Sequence, residues 1–304
     1  MTIEELHKMQ KWSLQDKVAH ANDMMAEFIY KIGGLDKVYI SFSGGVDSLV
    51  LLYLARNYIS PKIKAAFCNT GMEWPEIVEF VKTFDNVDII TPKMHAKKIY
   101  AEKGFPLVSK QNSHYIREAR RPNKDTATYK LRMGDNRFFS IPKKWKFLVT
   151  KPYSTSEQCC EYLKKKPMKE YDKETGRKPI LGIMAAESLL RTQNYVRYGG
   201  CNSFATKREH SWPMSIWTSE DVWQFIRENN IEYCKIYDEL KDKRTGCICC
   251  GYGVTLDPHK LDLLYSKYPK LYRHILSWEN NGVPFRTALR DTGMILPDEK
   301  GGEQ

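Results

Sequence analysis

The run Ser43-Gly44-Gly45-Val46-Asp47-Ser48 carries the residue types that an anion cradle needs. Its paired glycines allow backbone angles and close approaches that a Cβ blocks, and its serine hydroxyls add donors to the main-chain amides. A β-branched and aromatic run, residues 37 to 42 (KVYISF), precedes it, and a run rich in helix formers, residues 49 to 57 (LVLLYLARN), follows it. Strand, glycine loop and helix in that order bring unpaired amides and the positive end of a helix dipole to one point, where phosphate binds. Asp47 is out of place in a site for a bare anion, so Mg2+ is expected to accompany the phosphates. A tight strand-to-helix turn with capping serines is the plainer alternative, and the flanking strand and helix weigh against it.

Eight cysteines in 304 residues do not form the dense framework of a small secreted domain. Four of them cluster: Cys159 is adjacent to Cys160, and Cys247 and Cys250 form a C-x-x-C. Four thiolates can hold an iron–sulfur cluster, and the same arrangement can build a four-cysteine zinc site. Cys249, inside the C-x-x-C, is a candidate substitute ligand or a reactive thiolate that receives or delivers sulfur. Cys68, Cys201 and Cys234 are isolated and read as small buried hydrophobes, with Cys201 the first to test for reactivity.

Between residues 109 and 151 twelve Lys or Arg stand against three Asp or Glu, a balance of +9. Tyr115, Tyr129, Phe138, Phe139, Trp145 and Phe147 are interleaved with them. Cations that neutralise phosphates and aromatic faces that stack bases are what a single-stranded nucleic-acid groove requires. A solvated basic surface with its aromatics in the core, or a lid over one nucleotide, are the alternatives. The whole-chain charge of +11 likewise favours an anionic partner.

Positioning these groups falls to alternating strands and helices. Residues 37 to 42, 63 to 68 and 87 to 91 read as strands, with helices at 49 to 57 and 73 to 83, and the strand pattern resumes at 180 to 184. Alternation of this kind predicts an α/β fold with a doubly wound, mostly parallel sheet, followed by a C-terminal helical, cysteine-containing region. The expected divisions are an N-terminal helical segment (1–35) ending at Gly33-Gly34, a nucleotide-binding domain (36–215) with a basic insertion (104–179), and a helical region (216–304). Within the last, Thr218 caps a helix with Asp221 at its third position, and Leu263, Leu264, Tyr268 and Leu271 follow at helical spacing. No apolar run reaches the roughly 20 residues that span a bilayer. The first residues lack a secretory layout, so no membrane association and a cytoplasmic location are expected.

The Ser43–Ser48 loop resembles the PP-loop of the N-type ATP pyrophosphatases. Its neighbours are similar to the PAPS reductase branch, which holds sulfonucleotide reductases, the ATP sulfurylase small subunit and DNA phosphorothioation-type enzymes. The likeness is carried further by Asn69-Thr70-Gly71-Met72-Glu73-Trp74-Pro75-Glu76, by Gly182 through Glu187-Ser188 to Arg191, and by Pro213 to Trp217 with Glu220-Asp221-Val222-Trp223. It implies an adenine nucleotide alpha hydrolase-like fold with the nucleotide at the carboxyl ends of the strands. Ser43, Gly44, Gly45, Asp47, Ser48, Asn69, Thr70, Gly71 and Gly182 would bind it; Asp47, Ser48, Glu187, Arg191 and Cys249 would be catalytic. Glu187 and Arg191 could equally form a local ion pair. For Cys159, Cys160, Cys247 and Cys250 the resemblance implies a [4Fe–4S] cluster in preference to zinc. The chain departs from the family at Asn69, where Asp is common, and at Met184, where Arg is common.

Two chemistries follow. In one, ATP is cleaved to AMP and pyrophosphate to activate an acceptor, nucleic acid among the candidates, for displacement by sulfur from a cysteine desulfurase. In the other, a thiolate attacks the sulfate sulfur of APS or PAPS and a thiol reductant releases sulfite. The intact Gly-Gly-Val-Asp-Ser favours the first, as does the absence of any cysteine after Cys250. The paired cysteines resemble the second. A third reading is an iron–sulfur nucleic-acid-binding module without turnover.

Overall fold

Residues Val38–Ser41 form β1, and the strands that follow are Ala65–Cys68 (β2), Val87–Ile90 (β3), Lys178–Leu181 (β4), Asn202–Ser203 (β5) and His210–Ser211 (β6). They make one sheet in the order β3-β2-β1-β4-β6-β5, parallel throughout except for β5, which runs antiparallel to β6. Tyr39 of β1 packs with Ala66 of β2 against Met168 and Tyr171 of the helix Lys166–Thr175. Val38 and Ile40, which alternate with Tyr39, are also fully buried, so helices and loops cover both faces. The expected α/β, doubly wound architecture is what the chain adopts.

The computed structural model describes residues 1–136, 138–204, 208–241 and 244–300. The chain falls into two units: Met1–Asn69, Pro75–Thr91 and Met168–Lys235 hold the sheet, and Thr70–Trp74, Pro92–Pro167 and Ile236–Gln304 form the other. This division differs from the expected one. The N-terminal helix Leu14–Ile32, which does stop at left-handed Gly33, belongs to the sheet unit. Its Lys17 is buried, and the ammonium donates to Asp221 at 2.7 Å. The same Asp221 oxygen accepts from the Thr218 amide and hydroxyl, completing the capping box expected for the helix Ser219–Glu228.

The basic insertion does not stand alone either: residues 92–167 fold with the C-terminal helices. Their core is aromatic, with Tyr100, Phe105, Tyr153 and Phe285 in mutual ring contact. Buried Asn280 donates to the Tyr100 and Ala101 carbonyls and accepts from the Ser154 amide, tying three distant stretches together. At Gly251 the backbones approach so closely that a Cβ would lie 1.8 Å from the Pro106 carbonyl oxygen. Local periodicity cannot reveal such contacts between segments more than a hundred residues apart. Among the described residues no helix is long and apolar enough to cross a membrane.

Candidate functional site

In the sheet unit β1 ends in the glycine loop, and the helix Val46–Leu54 starts within it. The strand order reverses between β1 and β4, and the carboxyl ends of strands flanking such a switch point form the crevice where α/β sheets hold ligands. Gly44 has φ +73°, and a Cβ there would come within 2.8 Å of Ile77 and Val81, so the position accepts only glycine without rearrangement. Gly182, just past β4, lies against the loop: its Cβ would sit 3.0 Å from the Asp47 carbonyl oxygen. The Ser48 hydroxyl donates to the Gly45 carbonyl (2.9 Å) and accepts from the Ser43 amide (3.0 Å), and the two serine hydroxyls are 3.0 Å apart. Both serines therefore fix the loop's shape. Ser43 is exposed and Asp47 half-buried in the first helical turn, so a hydroxyl, a carboxylate and the helix N-terminus face solvent together.

The structure thus gathers Ser43, Gly44, Gly45, Asp47, Ser48 and Gly182 at one point. Asn69 directly follows the neighbouring β2, and its amide donates to the Ile90 carbonyl. Thr70 and Gly71 belong to the other unit. There the Thr70 hydroxyl donates to Glu73 at 2.8 Å. Glu187 and Arg191 form the ion pair that their spacing allows, and Glu187 also reaches back to the Met184 amide, closing the turn after β4. Met184 is buried.

In the second unit Cys159, Cys160, Cys247 and Cys250 line one cavity with Met72, Tyr100, Leu163 and Lys164. Chain segments nearly a hundred residues apart meet there, and the Ile248 amide holds the C-x-x-C by donating to the Met72 carbonyl at 2.6 Å. The cavity has its own electrostatics. A hydrogen bond from Cys159 holds Cys160 down against the cost of burial, with Lys110 and Lys164 adding to the effect, while the same bond and burial push Cys159 up. Burial pushes Cys247 up to about 12. The Cys247 sulfur and then Glu73 hold the Lys164 ammonium above its ordinary value despite burial. Four sulfurs and a cation around one cavity fit a thiolate-held, negatively charged cluster. Among the described residues no three His, Cys, Asp or Glu groups are set to hold a metal ion.

Cys249 is fully buried and is not among the residues lining that cavity. Burial pushes its thiol up. Cys201 is likewise buried and pushed up to about 12. Lys164 lies within a lysine run, and its place one helical turn after Cys160 is the signal in the sequence that links it to the cysteines.

The family profile described as the phosphoadenosine phosphosulfate reductase domain matches residues 37–136 and 129–252. An uncharacterized protein of Methanocaldococcus jannaschii is 25% identical over 247 residues, which are 80% of this chain and 41% of that protein, so the chain spans well under half of that relative. An adenosine 5'-phosphosulfate reductase of Staphylococcus epidermidis is 24% identical over 243 residues, 78% of this chain and 79% of that one. Among solved structures, the U34-tRNA thiolase NcsA from Methanococcus maripaludis with its [4Fe-4S] cluster is 14% identical at a TM-score of 0.39, covering 95% of this chain and 84% of that one. With the loop at the switch point and the profile running through the C-x-x-C, the chain belongs to the phosphoadenosine phosphosulfate reductase domain family.

Proposed function

We propose that this chain binds ATP at the Ser43–Ser48 loop and cleaves it to AMP and pyrophosphate, activating an acceptor for sulfur transfer. The observation that carries the reading is a carboxylate, Asp47, in the first helical turn of an anion cradle seated at the sheet's switch point. A triphosphate travels with Mg2+, which a carboxylate beside the loop can help hold. The loop amides and the Ser43 and Ser48 hydroxyls would hold the β- and γ-phosphates. Attack by the acceptor oxygen on the α-phosphorus then releases pyrophosphate. Arg191, kept in place by Glu187, is the candidate contact for the α-phosphate, with Asn69 and Gly182 completing the nucleotide's surroundings in the sheet unit.

Cys159, Cys160, Cys247 and Cys250 would hold a [4Fe–4S] cluster, with Lys164 offsetting its charge. Bound there, the cluster supplies a group that can ligate or reduce sulfur. The acceptor proposed is nucleic acid, engaged through the basic segment 109–151, with a cysteine desulfurase or thiol reductant as the sulfur partner in a cytoplasmic setting.

One observation favours a second reading, reduction of APS or PAPS to sulfite: the four-thiol cavity occurs in a chain that aligns with 79% of an adenosine 5'-phosphosulfate reductase. Anaerobically reconstituted protein supplied separately with ATP, APS and PAPS separates the two. Pyrophosphate from ATP, stimulated by nucleic acid, is expected; sulfite from either sulfonucleotide overturns the proposal. Brown protein absorbing near ~400 nm is expected for the cluster, whereas a zinc site is colourless.

A further inference from the structure

Among the described residues of the basic segment, six cations are engaged in holding the second unit together. Arg117 pairs with Glu157 at 2.7 Å. Arg120 donates to the carbonyls of Leu148, Val149 and Lys151. Arg132 bonds Glu118 and the Phe139 carbonyl, and Lys146 bonds the carbonyls of Met133 and Gly134. Lys124 donates to Ala119, and Lys151 pairs with Asp291. By contrast Arg121, Lys130, Lys143 and Lys144 are exposed, and no described carboxylate pairs with them.

Two of those anchoring cations, Arg132 and Lys146, meet at one turn. They fix the backbone on either side of it. The Asn136 side chain accepts from the amides of Phe138 and Phe139 at 3.0 and 3.2 Å, and the Ile141 amide returns to the Arg132 carbonyl at 2.8 Å. On this fixed frame Phe138 is 71% exposed and Phe139 52%. Two adjacent phenyl groups held in water by an anchored backbone forgo apolar burial, which is the mark of a contact surface. Nearby cations already lie over aromatic rings: Lys144 is 5.0 Å from the Trp145 ring and Lys124 4.9 Å from Tyr129. Asp135, whose carboxylate is mostly exposed and 3.3 Å from Lys146, is the one acidic group in the turn.

We propose that the Phe138–Phe139 turn is a stacking platform for single-stranded nucleic acid, with Lys130, Lys143, Lys144 and Arg121 as the phosphate contacts. This rests on the nucleic-acid acceptor proposed above and assigns the element that holds it. Base–phenyl stacking needs only an accessible ring face. Insertion into a membrane surface scales with buried apolar area, and two phenyl groups beside the 40% exposed Leu131 supply little of it. A duplex keeps its base faces covered and gains nothing from the phenyl groups.

The test is fluorescence anisotropy of the intact chain with fluorescein-labelled single strands, about 15 nucleotides long, of mixed-sequence RNA and DNA, without ATP. Single-strand affinity is expected to fall at least about fivefold per phenylalanine in F138A/F139A and to stay within about twofold in F138Y/F139Y. In K143A/K144A the slope of log affinity against log salt is expected to shrink by about 1.4, or about 0.7 per lost phosphate contact. Unchanged single-strand binding by folded F138A/F139A overturns the proposal. So does an equal loss with a duplex of the same length, or a loss seen only with phosphatidylserine vesicles. If the double variant fails to fold, F138A and F138Y carry the same comparison. Pyrophosphate release from ATP, measured on the same preparations, reports separately on the ATP reading, so either proposal can fail while the other stands.

Discussion

The glycine loop and the thiol cavity are assembled in opposite ways. The loop takes six consecutive residues and one glycine from the next strand of the sheet, and its serines bond within those six. The cavity draws on Met72, Tyr100, residues 159–164 and residues 247–250, four stretches that meet only once the second unit has packed. A local site can lose a functional side chain and keep its shape; a site assembled from afar fails with its packing.

The largest effect is expected where the cavity's backbone is tightest. Gly251→Ala pushes a Cβ into the Pro106 carbonyl, neither side of which is a flexible side chain, and should destabilise the second unit by more than about 4 kcal/mol. Denaturant midpoint and bound iron report it, and a variant that melts and loads iron like the parent breaks the comparison. Next is Lys17→Met in the sheet unit, which leaves the Asp221 carboxylate buried without its cation. About 3 kcal/mol is expected, since Thr218 still donates to it. An unchanged urea midpoint would show that the pair only sits on the scaffold.

A smaller effect is tied to acid. Burial pushes the Glu157 carboxyl up, but Arg117, a backbone donor and His114 more than offset it and hold it at about 2, below its ordinary 4.5. A carboxyl depressed in the folded state stabilises fully above the ordinary value and loses that contribution as pH falls from 4.5 towards about 2. Allowing for its partial exposure, the contribution is about 2 kcal/mol. Glu157→Gln should flatten the stability profile across that window; a profile as steep as the parent's would remove Glu157 from the account. The smallest stability change belongs to Asp47→Asn, within about 0.5 kcal/mol. Pyrophosphate release should nevertheless fall at least about a hundredfold if the carboxylate helps hold the metal. Unfolding by this substitution would mean that the loop is not separable from its scaffold.

The same contrast explains what the sequence made legible. The loop, the left-handed stop at Gly33 and the Thr218–Asp221 capping box are written in contiguous residues, and each appears where its spacing indicates. The four cysteines could be grouped because thiols are rare enough to stand out. The partition of the chain could not be read, since Asn280 and the ring contacts of Tyr100 join residues that share no periodicity. Nor was it visible that Arg117, Arg120, Arg132 and Lys146 serve the backbone of their own unit, because a basic run looks alike whether its partners are phosphates or carbonyls. Leu263 to Leu271 has helical spacing throughout, yet the chain forms two helices, His259–Lys267 and Pro269–Leu276. Pro269 has no amide to continue the first.

The interleaving of the two units sets a schedule during synthesis. When β1, β2 and β3 have left the ribosome, β4 is still 87 residues behind Ile90, a wait of roughly 4 to 18 s at ordinary elongation rates. Through that interval the switch-point edge of β1 has no neighbour, and most of the residues being made, 92–167, belong to the other unit. The thiol cavity waits longer still, until Cys250 emerges. Neither unit is a continuous stretch that a gene fusion could move intact, so loading of the cavity has to follow completion of nearly the whole chain.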